Sequence, residues 1–317
     1  MTGTTSTFGT QRRRPRFQRA DAPPPFRITE RDINIIREVA RHRFLRSTHL
    51  FALIRGPHKK ISERLGPLYH AGFLDRPRSQ IEYHVRGGGS APLVYALGER
   101  GARLLKIQDG LDKADLDWAR KNHTSGREFI LHTLAIADLR VALTIACRQH
   151  RGLTLLEPDQ LLLAAPDETQ EALSPWSWRV RIQHRGSVQE IGLLPDYAFA
   201  LILPDGRRRP FVVEIDRGTM PVERAMLDRS SMLRKFLAYE GGRKQELHTS
   251  RFGWRNFRVL VVTSSEERAE TMRALISRTP ALNSSPLFLF ADHETLMQAD
   301  ILGSAWTAAN GNRTALI

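Results

Sequence analysis

Cysteine is almost missing from the 317 residues; Cys147 stands alone. A single cysteine excludes an intramolecular disulfide framework and Cys-rich zinc sites, and it fits a reducing cytoplasm. No run of 18 apolar residues occurs, so no membrane-spanning helix is expected. The first 26 residues lack the apolar centre of a secretory signal. Also missing are a phosphate-binding Gly loop, a Ser/His/Asp signature, a His-x-His metal cluster and internal repeats. No heptad pattern supplies a coiled-coil dimer, and the oligomeric state stays open.

What is abundant is positive charge. The formal net charge is +14, and its position matters more than its size. Residues 1–110 hold 21 Lys/Arg against 9 Asp/Glu, whereas residues 111–317 hold 27 against 25. The first third therefore carries nearly all the excess, as expected of a polyanion-binding module joined to a near-neutral partner domain. Arginine outnumbers lysine, which suits bidentate phosphate contact. The length is about twice the usual ~150 residues per domain, so two domains are expected. The 41% apolar content is enough to build their cores.

Residues 1–27 are rich in Thr, Ser, Gly, Arg and Pro and read as a disordered basic arm, with Arg12, Arg13, Arg14, Arg16 and Arg19 clustered in it. From 28 to 107 the pattern becomes periodic. Thr29 can cap a helix over 30–43 with Ile33, Ile36, Ala40 and Phe44 on one face; Ser47 can cap a second carrying Leu50, Leu53 and Ile54. Pro57 opens a third, with Ile61, Leu65 and Leu68 inward and Gly72 at its end. Two strand-like runs follow, Gln80–Val85 and Leu93–Leu97, joined by Arg86-Gly87-Gly88-Gly89-Ser90, and then a helix over Ala102–Ile107. With the third helix phased this way, Lys59, Lys60 and Glu63 point outward, Arg64 flanks them and His58 sits in the first turn. His58, Lys59, Lys60 and Arg64 are the candidate DNA contacts, with Arg55, Arg76, Arg78 and Arg86 reaching phosphates from the turn and the hairpin. The plain alternative is a solvated basic face. The order of elements resembles a winged helix-turn-helix, most closely in residues 56–78 and 93–105.

Residues 108–126 are polar and read as a linker. After them come a long helix at 127–149, strands at Leu153–Leu156, Leu161–Ala164, Trp178–Gln183, Tyr197–Leu203 and Phe211–Ile215, a helix over 222–240, a strand at Arg258–Thr263, a helix at Glu266–Ser277 and a strand at Leu287–Phe290. The expected fold class is α/β, or α+β overall, with a mixed sheet over residues 127–302 and a frayed tail at 303–317. The informative stretch is Pro195-Asp196 opening one strand and Glu214-Ile215-Asp216-Arg217-Gly218-Thr219 closing the next. Adjacent antiparallel strands bring Asp196 and Glu214 to one sheet edge, where converging carboxylates can bind a hard divalent cation.

This order resembles the PD-(D/E)XK nuclease-like core, in which Pro-Asp is followed by Glu-x-Lys. Here Asp216 stands where that pattern has lysine. The resemblance implies a catalytic set of Asp196, Glu214 and Asp216, with His132 and Lys235 as further candidates. A Mg2+ or Mn2+ ion would be held by Asp196 and Glu214, with Glu128 as a helical acid. Phase set by Val222, Met226 and Leu233 turns Lys235 away from the sheet and turns Arg229 toward Glu214 or Asp216, so a structural salt bridge is the competing account. His132 reads first as a hydrogen-bonded core histidine and only second as a ligand or proton carrier, and Glu128 is equally a surface helix acid; Cys147 reads as a small buried hydrophobe, Trp176 and Trp178 as sheet packing rather than base stacking, and Arg207-Arg208-Arg209 as a solvated turn, with contact to DNA near the sheet edge as its alternative.

Taken together, residues 28–107, the Glu214–Thr219 segment, Lys235-x-x-x-Tyr239 and His132-Thr133-Leu134-Ala135-Ile136-Ala137-Asp138 resemble the replication-relaxation family over residues 28–262. That resemblance implies a cytoplasmic DNA-binding accessory protein in plasmid or mobile-element replication or mobilisation, non-catalytic because the motif lysine is missing. Its implied partners are double-stranded DNA and a relaxase or replication initiator. A metal-dependent nicking endonuclease and a winged-helix transcription regulator are the open alternatives.

Overall fold

The computed structural model describes residues 16–23, 25–80, 91–110, 121–122, 124–184, 186–224 and 226–317. Most of the expected basic arm, the hairpin tip with Arg86 and most of the expected linker lie outside the described residues. The chain divides into two compact units, residues 1–133 and 134–317.

In the first unit, α1 (Glu30–His42) starts at Thr29, which closes a reciprocal capping box with Asp32. Ile35, Ile36 and Val39 are buried, whereas Ile33 and Ala40 are half-buried, so the apolar stripe is rotated from the expected one. Phe44 leaves the helix and opens β1 (Phe44–Arg46). Then come α2 (Ser47–Leu53), α3 (His58–His70), β2 (Leu74–Asp75), β3 (Val94–Leu97) and α4 (Glu99–Asp109). Strands β1, β3 and β2 form an antiparallel sheet with β3 in the middle. Of the strand expected at Gln80–Val85, Gln80 belongs to a 3-10 turn, and residues 81–85 lie outside the described set. The Gln80 amide nevertheless acts as a strand partner, accepting from Val94 N at 2.7 Å and donating to Val94 O at 2.9 Å. Helix α4 starts at Glu99, three residues earlier than expected. Gly98 and Gly101 permit this: a Cβ would fall 2.4 Å from Gly72 O and 2.2 Å from Phe73 O respectively.

The arm is anchored where it is described. Arg19 pairs with Asp75 at 3.0 Å, donates to the carbonyls of Tyr69 and Leu74, and lies over the Tyr69 ring. The expectation of disorder through residue 27 is corrected on this point: two arginines of the cluster serve the fold, because Arg16 lends its carbonyl to Arg76.

Helix α5 (Arg127–Gln149) crosses from the first unit's residues into the second. It is long and apolar enough by length and composition to cross a membrane. Scattered polar residues keep it from being an unbroken apolar run. Its Leu139, Leu143 and Cys147 join the core of the second unit, as in an internal helix of a packed domain. There follow β4 (Thr154–Leu156), α6 (Pro158–Leu162), α7 (Asp167–Gln170), β5 (Trp178–His184), β6 (Ser187–Leu193), β7 (Tyr197–Ile202) and β8 (Arg208–Ile215). Next are α8 (Met232–Lys244), α9 (Leu247–Phe252), β9 (Arg258–Thr263), α10 (Glu266–Arg278), β10 (Phe288–Asp292), α11 (His293–Gln298), β11 (Trp306–Ala308) and β12 (Arg313–Thr314). The expected strand at 161–164 is instead the end of a short helix and the turn after it, the helix being started by Pro158 and a Glu157–Gln160 capping box.

The fold is mixed α+β. A seven-stranded sheet runs β12-β11-β10-β9-β8-β7-β4, parallel across β8, β9 and β10 and antiparallel on both flanks. Alternation sorts the strands. Ala198, Ala200, Val212, Val261 and Phe290 pack with α8 and α10, while Phe199, Val213, Val262 and Ala291 pack with α5. The last 15 residues are not a frayed tail. Trp306 is fully buried, donates from its indole to Ile301 O at 2.8 Å, and lies in a strand that closes the sheet flank.

Candidate nucleic-acid interface and acidic sheet rim

Helix α3 presents His58, Lys59 and Lys60 in its exposed first turn, which contains no acid. Unpaired backbone amides at that turn add to the positive field. His58 stacks on Phe51 with ring centroids 5.0 Å apart. Lys60 pairs loosely with Glu63 at 3.5 Å on the exposed surface. Arg55 and Arg78 are exposed as well.

Two expected phosphate contacts have structural duties instead. Arg64 grips the fully buried Asp32 at 2.7 and 2.8 Å, donates to Arg27 O and covers the Phe26 ring. Burial alone would raise the Asp32 carboxyl, but bonds from Arg64 and Thr29 hold it below the ordinary carboxylate value. Arg76 is buried, bonded to Arg16 O at 2.8 Å and sandwiched against Tyr69 and Tyr95. Helical phase alone cannot reveal such partners, because they come from segments distant in sequence.

In the second unit the antiparallel register pairs Tyr197 with Val213, which sets Asp196 beside the end of β8. Asp196 Oδ2 accepts from Ile215 N at 2.7 Å, and Asp196 N donates to Val213 O at 3.0 Å. Glu214 points to the α8 side, 1% exposed. One of its oxygens takes the Lys235 ammonium and the other takes the Tyr239 hydroxyl at 2.6 Å. Asp216 is buried too, and both its oxygens are engaged by Arg268, which also donates to Met220 O.

The orientation expected of Lys235 is therefore corrected. Helix α8 starts at Met232, ten residues later than expected, with Ser231 as its cap. Val222 and Met226 precede the helix and cannot set its phase. From the true start, Lys235 and Tyr239 are four residues apart and face the sheet together. Arg229 is exposed ahead of the helix, and Asp216 pairs with Arg268 rather than with it.

Electrostatics follow from burial. Desolvation pushes the Glu214 carboxyl up to about 7, with Asp196 adding to the rise and Lys235 and Tyr239 opposing it. Burial acts to lower Lys235, but Glu214 and Asp196 more than offset it, and the ammonium is held above its ordinary value. Tyr239 is raised by burial and by Glu214 and stays a hydroxyl donor.

The family model described as replication-relaxation matches residues 36–248. The chain belongs to the replication-relaxation family. No curated protein and no solved structure matches it. The replication-relaxation match takes in α3, Asp196, Glu214, Asp216, Lys235 and Tyr239, and it stops short of Arg268 and the two C-terminal strands.

The remaining candidates fall elsewhere. Glu128 is exposed and His132 half-buried, both on the part of α5 that belongs to the first unit. Asp138, further along α5, meets His293 at 3.0 Å. Cys147 is buried, and burial pushes its thiol up to about 11. Trp178 is fully buried, and its ring meets Tyr239 edge-on at 6.1 Å. Among the described residues, no group of three or more His, Cys, Asp or Glu is placed to hold a metal ion. Sequence reasoning marks Lys235-x-x-x-Tyr239 as part of the family resemblance without placing Tyr239 at the rim, and it passes over Arg268. The i,i+4 spacing from Lys235 to Tyr239 was a readable signal; nothing local marked Arg268.

Proposed function

We propose that this replication-relaxation protein is a cytoplasmic DNA-binding accessory factor in the replication or mobilisation of a plasmid or other mobile element. In this reading residues 28–107 are a winged helix-turn-helix that docks α3 on double-stranded DNA. The second unit is a nuclease-like scaffold that joins a relaxase or replication initiator without cutting DNA itself. The observation that carries the reading is the exposed His58-Lys59-Lys60 turn, flanked by exposed Arg55 and Arg78, in the third of the chain that holds the charge excess. Loss of two phosphate contacts lowers the slope of log affinity against log salt by up to ~2. Lys59→Ala with Lys60→Ala is therefore expected to weaken binding to duplex DNA and flatten its salt dependence, measured by anisotropy over a salt series. Unchanged affinity and slope would remove this face from the interface.

A second reading, a divalent-metal-dependent nicking endonuclease, is favoured by one observation: Lys235 reaches Glu214 from α8 and so restores a lysine to the Asp196/Glu214 pair. The donor set argues the other way. Both Glu214 oxygens, both Asp216 oxygens and one Asp196 oxygen already accept from protein donors. A hard cation needs several of those oxygens for itself. As arranged, the residues do not fit a Mg2+ or Mn2+ ion. Plasmid nicking assayed across metals, with Asp196→Ala and Glu214→Ala as controls, decides between the readings. Cleavage lost in both variants would establish the endonuclease.

A further inference from the structure

The second unit also carries a cavity of about 390 Å³, lined by Ala172, Ser174, Ser177, Arg179, Leu247 and Arg251. That is near the lower end of the range for small-molecule pockets, about 300–1,000 Å³. Aromatic packing builds the lining. Trp176 stacks on Phe252 at 5.1 Å and meets Trp254 at 6.2 Å, which fixes the loop over 171–177 against α9. Within that loop a turn, Ser177 N donating to Ser174 O at 3.0 Å, sets two serines at the cavity wall. Arg251 is the unusual member. It is half-buried, yet its guanidinium makes a single hydrogen bond among the described residues, Nη2 to Pro175 O at 3.0 Å. Its Nε is buried without a partner. The Phe252 ring lies 5.9 Å away, and none of the described residues lining the cavity is acidic. A half-buried cation with one neutral acceptor is costly, and an anion in the cavity relieves that cost. Arg179 supplies a second positive charge. Its pair with Glu190 at 2.9 Å is exposed and contributes little, so an anion can compete for it. The rest of the wall is apolar: Ala172 and Leu247 line the cavity, and Leu173, between Ala172 and Ser174, is fully exposed.

We propose that this cavity binds an organic phosphate monoester the size of one nucleotide: Arg251 and Arg179 take the phosphate, Ser174 and Ser177 donate to its remaining oxygens, and Ala172, Leu173 and Leu247 cover the organic body. Two guanidinium groups match the charge of a monoester, about −1.5 to −2 at pH 7, better than the single charge of a phosphodiester. A free mononucleotide and the 5′-phosphate end of a DNA strand present the same group, and the test separates them. The inference does not rest on the DNA-binding reading of α3.

The test is isothermal titration calorimetry of the full chain with thymidine 5′-monophosphate, expected to show one site per chain. Thymidine lacks the phosphate and inorganic phosphate lacks the organic body; each is expected to bind about tenfold more weakly or worse. Arg251→Gln removes a charged donor and should weaken the monophosphate about ten- to a hundredfold. Arg179→Ala changes a side chain that is 83% exposed, and it should weaken binding several-fold without disturbing the fold. A 5′-phosphorylated oligothymidylate is compared with its 5′-hydroxyl twin: an Arg251-dependent gain from the phosphate assigns a strand end as the source, and no such gain beside tight monophosphate binding assigns a free nucleotide. Absence of monophosphate binding would overturn the proposal, as would binding that thymidine matches or that both arginine variants leave unchanged. If Arg251→Gln does not fold, checked by circular dichroism, Arg179→Ala and Ser177→Ala decide. Lys59→Ala with Lys60→Ala should leave monophosphate binding unchanged, so failure here and failure of the DNA-binding reading are separate results.

Discussion

Protonation of Glu214 should be visible in the stability of the whole second unit. Its carboxyl moves from an ordinary 4.5 to about 7 on burial, so the folded chain holds that proton more tightly than the unfolded chain. The resulting stabilisation is fully present below pH 4.5, erodes as pH rises, and is lost above about 7. At ~1.4 kcal/mol per pKa unit, the shift corresponds to about 3 kcal/mol. Lys235 is held above its ordinary value and stays charged throughout, so the change belongs to the glutamate. The perturbation is Glu214→Gln, which keeps shape and removes the proton. Urea unfolding of both proteins between pH 4.5 and pH 8 gives the stability difference, in which the 11 histidines and other titrating groups cancel. Wild type minus variant should fall by up to ~3 kcal/mol across the window, mostly between pH 5 and pH 7. A difference independent of pH, or one that grows with pH, would refute the assignment of a buried, proton-holding carboxyl.

Other outcomes follow from contacts distant in sequence. Arg64→Ala leaves Asp32 buried without its partner and should destabilise the first unit by about 3 kcal/mol, read by thermal or urea unfolding. Duplex affinity, measured below the variant's melting range, should change little, in contrast to the Lys59/Lys60 double variant. Gly241→Ala would place a Cβ 2.8 Å from Ile182 and 3.0 Å from Val180, so despite a gain of up to ~1 kcal/mol in helix propensity it should be net destabilising by 1 kcal/mol or so. Trp306→Ala removes a fully buried indole and its bond to Ile301 O, and should lower stability by about 3–5 kcal/mol; an unchanged melting temperature would contradict the placement of β11.

Long periodic segments were legible in the sequence. The helices around 30–42, 58–70, 127–149 and 266–278 and the buried strand at 258–263 fall where apolar spacing and caps put them. Three kinds of feature were not legible. Strands of two or three residues, such as β1, β2 and β12, are too short to have a period, and their pairing partners come from elsewhere in the chain. Helix starts misled where apolar residues continued the period into a loop. Val222 and Met226 mimicked the first turns of α8, and that one error turned Lys235 away from the sheet and kept the Lys235-x-x-x-Tyr239 motif from being placed at the rim. Arginine roles depended on tertiary partners: Arg64, Arg76 and Arg268 look like any other basic residue until Asp32, Tyr69 and Asp216 are placed beside them. The pairing of Asp196 with the end of β8 was readable, because a short turn between two strands fixes antiparallel register.

The hairpin turn at Pro204–Arg207 has a practical use. Strand β7 starts beside Asp196 and β8 ends at Ile215, next to Asp216, so the turn lies at the far end of both, about 20 Å from the acidic rim at the usual rise per residue. Its residues Asp205 and Gly206 are exposed. A short epitope or a fluorophore-accepting peptide inserted there would report on the intact protein in solution or bound to its targets while leaving the carboxylates undisturbed.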